Sequence, residues 1–228
     1  MTYDLIIVSQ SKGELIQMTQ NCIDSARQDG ADMNVIIVET GQPYKYNVDK
    51  IIEYNGEFSY NRALNLGLKY AKGDVHILAN NDLVFYPGWS QIGDLMRING
   101  YHSASALSQS CGKYPVADLI YDGYEIGSTL TGWCIFMDRY CHETIGPLDE
   151  TVAFWFSDNL YALQLQAAGI VHGLFCNIQV DHITSRTLMQ LPTRLQRKYQ
   201  IGEIGKFNNR KRYYVQRKQL HKIDTPNL

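Results

Sequence analysis

The stretch Asp74-Val75-His76-Ile77-Leu78-Ala79-Asn80-Asn81-Asp82 limits what this chain can become more than any other. An apolar run, Val75 to Ala79, ends abruptly in two amides and a carboxylate. Gly73 precedes it and Pro87-Gly88 follows, so it reads as a buried strand between breakers. In an open α/β sheet, ligands bind beyond the carboxyl ends of the strands. Asp82 stands at such an end. A carboxylate there can hold a hard divalent cation, and the cation can hold a diphosphate. The plainer alternative is a polar turn, which Asn and Asp also suit.

The neighbouring segments supply a sheet for that strand. Leu5-Ile6-Ile7-Val8 and Val35-Ile36-Ile37-Val38 are β-branched runs, the second ending in Glu39-Thr40-Gly41. Between them Leu15, Met18, Cys22 and Ala26 recur at helical spacing, and Gly30 marks the stop. Ile51 to Tyr54 reads as a short third strand, followed by a helix from about Ser59 to Ala71. Alternation of strands and helices predicts a parallel sheet with helices on its faces. The sequence contains neither G-x-G-x-x-G nor G-x-x-x-x-G-K-[ST], so a nucleotide would be held another way, most simply through a metal.

The second half is read less fully. Tyr101 to Gly127 has weak periodicity and no assigned element. Thr129 to Met137 reads as a strand with Gly132-Trp133 inside it, and a glycine in a strand lets a ligand or backbone approach closely. Arg139 to Ile145 is a short helix stopped by Gly146-Pro147. Leu148 to Glu150 is a polar turn. Asp158 begins a helix that Gly169 ends, and a carboxylate at a helix N-terminus is favoured by the dipole. Ile170 to Leu174 and Asn177 to Asp181 read as two short strands, with His182 directly after. Thr187 to Lys222 reads as helical in two pieces broken near Gly202 or Gly205.

Length and charge bound the rest. With 228 residues, 45% hydrophobic and 19% charged, the chain is a folded globular protein and not a disordered one. Five scattered cysteines without a C-x-x-C pair predict reduced, buried thiols rather than a zinc site or disulfide framework. The net charge of −2 conceals a division at residue 185. Residues 186–228 carry eleven Lys and Arg against two acidic side chains, on a body with a net charge of −11. A basic end predicts an anionic partner, or a helix packed on its own acidic body. Tyr199, Tyr213 and Tyr214 lie among the basic residues, either to stack bases or to anchor the tail. No run is apolar and long enough for a membrane span, and Met1-Thr2-Tyr3-Asp4 lacks a leader's charged and apolar regions. The expectation is a cytoplasmic protein, in one version a viral protein acting in its host's cytoplasm.

Asp82, Asp158 and His182, in that order and spacing, resemble the nucleotide-sugar glycosyltransferases of the GT-A fold, especially the large inverting family 2. The resemblance covers roughly residues 4–185. Residues 73–88 (GDVHILANNDLVFYPG) carry most of it, and Asn80-Asn81-Asp82 resembles an N-N-D variant of the family's D-x-D motif. Phe58 to Gly67 (FSYNRALNLG) resembles a nucleotide-lining segment. Gly132-Trp133 with residues 145–150 is similar to the acceptor-side block. Ser157-Asp158 falls where the family has an E-D pair, and Val180-Asp181-His182 resembles a strand carrying a metal-binding histidine.

The resemblance implies an α/β fold of GT-A type: a mostly parallel nucleotide-binding sheet with helices on both faces. Residues 1–185 form that domain and 186–228 a basic helical C-terminal extension. It implies a divalent metal, Mn²⁺ or Mg²⁺, on Asp82 and His182, and Asp158 as general base for the acceptor hydroxyl. A nucleotide-sugar, most simply a UDP-sugar, would lie against Ser9, Glu39, Arg62, Asn65, Asn80, Asn81 and Trp133. Arg62 and Arg186 are candidates for the diphosphate. The acceptor would be a polysaccharide or lipid-linked glycan, or a hydroxymethylated base in viral DNA contacted through the basic tail. Asn80 replaces the first carboxylate of the motif, and Ser157 the acidic neighbour of the base. Those departures motivate a competing reading: an inactive glycan- or nucleic-acid-binding module on the same scaffold. A nucleotidyltransferase is a third reading. Taken singly, Asp158 can be a helix cap and His182 a hydrogen-bonded structural residue.

Overall fold

The computed structural model describes residues 1–183 and 193–224, with side chains at 195, 198, 199 and 218–224 outside that description. Nine strands form one sheet, in the order β3-β2-β1-β4-β8-β6-β9-β5, with β7 paired to β9. Strands β1 (Tyr3–Ser9), β2 (Met33–Glu39), β3 (Lys50–Glu53) and β4 (Val75–Ala79) are mutually parallel, as the alternating pattern predicts. The second half is not uniformly parallel. β8 (Cys134–Asp138) runs antiparallel between β4 and β6 (Ser103–Leu107). β9 (His172–His182) pairs parallel with β6 and antiparallel with β5 (Leu83–Phe85) and β7 (Ile120–Asp122).

Side chains alternate across the sheet, which explains the buried runs. Leu5, Ile7, Ile37, Ile77 and Ala79 face a core closed by Cys22, Ile23 and Ala26 of α1 (Glu14–Arg27) and Ile92 and Met96 of α3 (Ile92–Asn99). Ile6, Ile36, Leu78, Ile135 and Met137 face the other core. That one is closed by Leu64 and Leu68 of α2 (Tyr60–Leu68), Cys141 of α4 (Arg139–Ile145) and Leu165 of α5 (Ser157–Ala168). A Cβ on Gly67 would lie 2.4 Å from Ile6 Cγ2, so that glycine lets α2 settle directly on β1. All five cysteines are buried and free.

Three segments depart from the sequence reading. The strand expected over Thr129 to Met137 begins only at Cys134, and Gly132-Trp133 form the loop before it. Thr131 fixes that loop, its N–H donating to Ser105 Oγ and its hydroxyl to the Cys134 carbonyl. The two strands expected over residues 170–181 are one, interrupted by a register shift opposite Ala106 and Leu107. The tail is one helix, α6 (Thr193–Asp224), which continues through Gly202 and Gly205. Each glycine costs a helix about 1 kcal/mol, and here packing of Phe207 and Tyr214 against Val152, Leu160, Leu163 and Ala167 outweighs it. No helix among the described residues is long and apolar enough to cross a membrane.

Candidate active site

The carboxyl end of β4 meets the end of β9 at one place. Leu83 pairs with His182 across β5 and β9, so Asp82, the residue before Leu83, lies beside the histidine. His182 Nε2 is 3.0 Å from Asp82 Oδ1. The approach lacks hydrogen-bond alignment, and Asp82 Oδ1 is buried without a hydrogen-bond partner. The Trp133 ring stacks on His182 with centroids 5.1 Å apart and planes 6° from parallel. Trp133 Nε1 is likewise buried without a partner. Asn80 Oδ1 accepts the Tyr60 hydroxyl at 2.7 Å, and Asn80 Nδ2 is 3.4 Å from His182 Nε2. Burial, with the charges of Asp82 and Asp158 adding, pushes the Tyr60 phenol far up, so it stays a neutral donor.

Asp158 lies near Tyr60, whose phenol feels the charge of both Asp82 and Asp158. Asp158 is the second residue of α5, two after Phe156, whose φ of 69° is the only positive value at a non-glycine among the described residues. A bulky residue in that region costs on the order of 1–3 kcal/mol and persists only where its surroundings enforce it. Ser157 donates its hydroxyl to the Phe154 carbonyl at 2.5 Å, tightening the turn. The Asp158 carboxylate lies against Gly132, where an added Cβ would meet Oδ2 at 2.6 Å. Thus Gly132 is required for Asp158 to sit where it does, a close approach between protein segments rather than to a ligand. Tyr60, Gly132 and Asp158 line the same small cavity. Burial raises the Asp158 pKa above the ordinary carboxylate value, partly offset by the Asn159 N–H donating at 2.8 Å. A carboxylate so desolvated is a better proton acceptor than a solvated one.

The remaining candidates divide into two groups. Ser9 and Glu39 are adjacent at the ends of β1 and β2. Glu39 accepts the Ser11 N–H at 2.8 Å, the Ser11 hydroxyl at 2.5 Å and the Gly41 N–H at 2.7 Å. Ser9 Oγ lies within hydrogen-bond distance of Thr19 and Tyr46, and Asn81 Nδ2 donates to Thr19 Oγ1 at 3.1 Å. Ser9, Glu39 and Asn81 therefore form a closed network at the mouth of the first parallel strands. Arg62 and Asn65 lie elsewhere. Arg62 pairs with Glu150 at 3.0 Å, and Asn65 bonds the Leu148 backbone and Glu150. Both hold the turn that leads to Asp158 and not the Asp82–His182 pair. Arg186 and the Tyr199 side chain lie outside the described residues.

Whether a metal fits can be judged from Asp82 and His182. Among the described residues no group of three or more His, Cys, Asp or Glu could enclose an ion. One carboxylate and one imidazole instead match a cation that takes its other ligands from substrate phosphates and water. Asp82 Oδ1, facing His182 Nε2 without a hydrogen bond, suits that arrangement. A buried carboxylate oxygen without a partner is otherwise unfavourable by several kcal/mol.

Sequence reading missed two residues. Tyr60 lies in the helix expected from about Ser59 to Ala71, and its hydroxyl reaches Asn80. Glu203 was counted only as a minority charge in a basic tail, yet it is buried and accepts backbone N–H groups of residues 153–155. Neither position carries a local pattern that would single it out.

No family model and no curated protein matches this chain. A solved structure described as GalNAc-T7 with UDP, GalNAc and Mn²⁺ superposes with a TM-score of 0.66 at 11% sequence identity. The match covers 80% of this chain and 43% of that one. At this identity the likeness concerns the fold: the chain has a mixed α/β, GT-A glycosyltransferase-like fold.

Proposed function

We propose that this protein is a metal-dependent glycosyltransferase of the family 2 kind, moving a sugar from a nucleotide diphosphate to an acceptor hydroxyl with inversion. The observation that carries the reading is a pair of buried polar atoms without hydrogen bonds, Asp82 Oδ1 and Trp133 Nε1, both beside His182. One is an acceptor for a cation and the other a donor for an oxygen. Asn80-Asn81-Asp82 is then this chain's form of D-x-D, with Asn80 holding Tyr60 and only Asp82 serving the ion. Asp82 and His182 would hold Mn²⁺ or Mg²⁺, which supplies positive charge to the leaving diphosphate. Asp158 takes the proton of the acceptor hydroxyl as that oxygen attacks the anomeric carbon. The sugar–phosphate bond breaks on the opposite face, which inverts the centre. Trp133 Nε1 donates a hydrogen bond toward the donor sugar or its phosphates, and Tyr60, its proton held by Asn80, helps exclude water. Lys206, Lys211, Arg212 and Arg217 are exposed on α6, which supports an anionic acceptor or carrier such as a lipid-linked or acidic glycan.

Thermal unfolding with UDP, GDP, dTDP and CDP, each with and without Mn²⁺, tests the donor half. Ligand at one hundred times its dissociation constant stabilises by about 2.7 kcal/mol, roughly 5–10 °C for a chain of this size. The expected result is a shift with one nucleotide that needs Mn²⁺ and is absent in Asp82→Ala. No shift with any nucleotide would sink the reading.

A further inference from the structure

The segment between the Asp149 turn and Asp158 is held from two sides. From α2, the Tyr60 N–H donates to the Ala153 carbonyl at 2.6 Å, and Asn61 Nδ2 donates to the Asp149 carbonyl at 2.7 Å. From α6, one buried carboxylate, Glu203, takes three consecutive backbone N–H groups. Ala153 donates to Oε1, Phe154 to both oxygens at 3.2–3.3 Å, and Trp155 to Oε2 at 2.7 Å. Successive N–H groups turned to one side form a concavity that selects an anion, and here the protein supplies its own. Four residues further along α6, Phe207 stacks on Phe156 with centroids 4.8 Å apart and planes 9° from parallel. Phe156 is the residue in the left-handed conformation. Arg210 and Tyr214 then bond Asp149 Oδ2, the tyrosine at 2.8 Å.

These contacts fall on backbone groups, the Phe156 ring and the Asp149 carboxylate, all between residues 149 and 156, and Asp158 lies two residues beyond. We propose that Glu203 and Phe207 are positioning residues: by holding Ala153–Phe156 in its strained turn, α6 places the Asp158 carboxylate against Gly132. Without the Glu203 carboxylate, three N–H groups lose their acceptor and the turn loses the main contact that offsets the cost of Phe156 at positive φ. The turn then relaxes and the carboxylate withdraws from the cavity. The basic tail therefore contributes to the site through a buried acid, Glu203. This rests on the reading of Asp158 as the base.

The test uses the full chain with Glu203→Ala, Glu203→Gln and Phe207→Leu. Amide hydrogen exchange at residues 153–159 reads the turn directly, with β1 and β4 amides as the internal control. Nucleoside diphosphate release from the UDP-, GDP-, dTDP- or CDP-sugar that the wild type turns over gives kcat and the donor KM. Expected in Glu203→Ala is loss of protection at 153–155 with β1 and β4 unchanged. Alongside it kcat falls about 10²-fold, as for a misplaced catalytic group, while the donor KM stays within about twofold. Glu203→Gln, which keeps one acceptor oxygen, lies between. Phe207→Leu moves the same two readouts and serves alone should Glu203→Ala not fold. Lost protection with unchanged kcat would make α6 a purely structural brace and overturn the proposal, as would unchanged protection. If the wild type turns over no UDP-, GDP-, dTDP- or CDP-sugar, the glycosyltransferase reading has failed. The exchange data then still decide whether Glu203 orders the turn.

Discussion

The two halves of the cleft differ in how their polar groups are satisfied. At the ends of β1 and β2, Glu39, Ser11, Ser9, Thr19, Tyr46 and Asn81 bond to one another, and none of their buried polar atoms is orphaned. At the ends of β4, β8 and β9, Asp82 Oδ1 and Trp133 Nε1 are both buried without hydrogen bonds, and Asp158 is desolvated. A closed network stiffens a wall; an open one has binding free energy left to give. The comparison separates scaffold from chemistry within a single cleft.

The largest expected effect lies in the open half. Asp158→Asn keeps the shape of the side chain and its bond to the Asn159 N–H but cannot accept the hydroxyl proton. Transfer should fall by roughly 10²–10⁴-fold with the folded state intact, measured as nucleoside diphosphate release beside a thermal scan. Retained turnover would move the base elsewhere.

Next comes the closed half. Glu39→Ala strands the buried Ser11 N–H and leaves the Ser11 hydroxyl only Tyr46, and an unsatisfied buried group costs about 1–3 kcal/mol. Denaturant unfolding should show a loss of about 1–3 kcal/mol, whereas Asp82→Ala, which removes a carboxylate oxygen that makes no hydrogen bond, should lower the ligand-free midpoint less. If the two variants lost equal stability, the division between wall and chemistry would collapse.

The smallest effect concerns pH. Because burial raises the Asp158 pKa in the folded state, the folded protein holds that proton more tightly than the unfolded chain. The stability so gained is complete below the ordinary carboxylate pKa of about 3.9 and is lost as pH rises through the raised folded value. Asp158→Asn should therefore melt higher than wild type at neutral pH, and the gap should close on acidification. A gap that widens toward low pH would mean the carboxylate is stabilised in its charged form.

Much of the parallel half could be read from sequence because each strand is a short β-branched run bounded by breakers. β6 (Ser103–Leu107) escaped because it is a strand of serines and small residues. Its polarity is satisfied out of sight: Ser103 Oγ lies 2.7 Å from the Tyr161 hydroxyl and from His172 Nδ1, and Ser105 Oγ lies 3.0 Å from His172 Nε2. Burial accordingly drives the His172 pKa down to about 3. β5 was too short to register. In the site, Asp82 and His182 carried a recognisable order, and the structure puts them in contact. Arg62 and Asn65 shared the same resembling segment and instead hold the Leu148–Glu150 turn. Tyr60 and Glu203 act through partners far away in the chain, and no local spacing encodes that.

The bond between Ala153 and Glu203 spans 50 residues, which matters while the protein is being made. A ribosome adds about 5–20 residues each second, so Ala153 precedes Glu203 by roughly 3–10 s. During that interval the emerging chain holds every strand up to β7 and β8 and the turn before Asp158, but lacks the carboxylate that orders the turn. The sheet can collect its core early, and competence arrives late. A stalled or clipped product lacking Glu203 would carry the strands without the carboxylate that receives the N–H groups of residues 153–155.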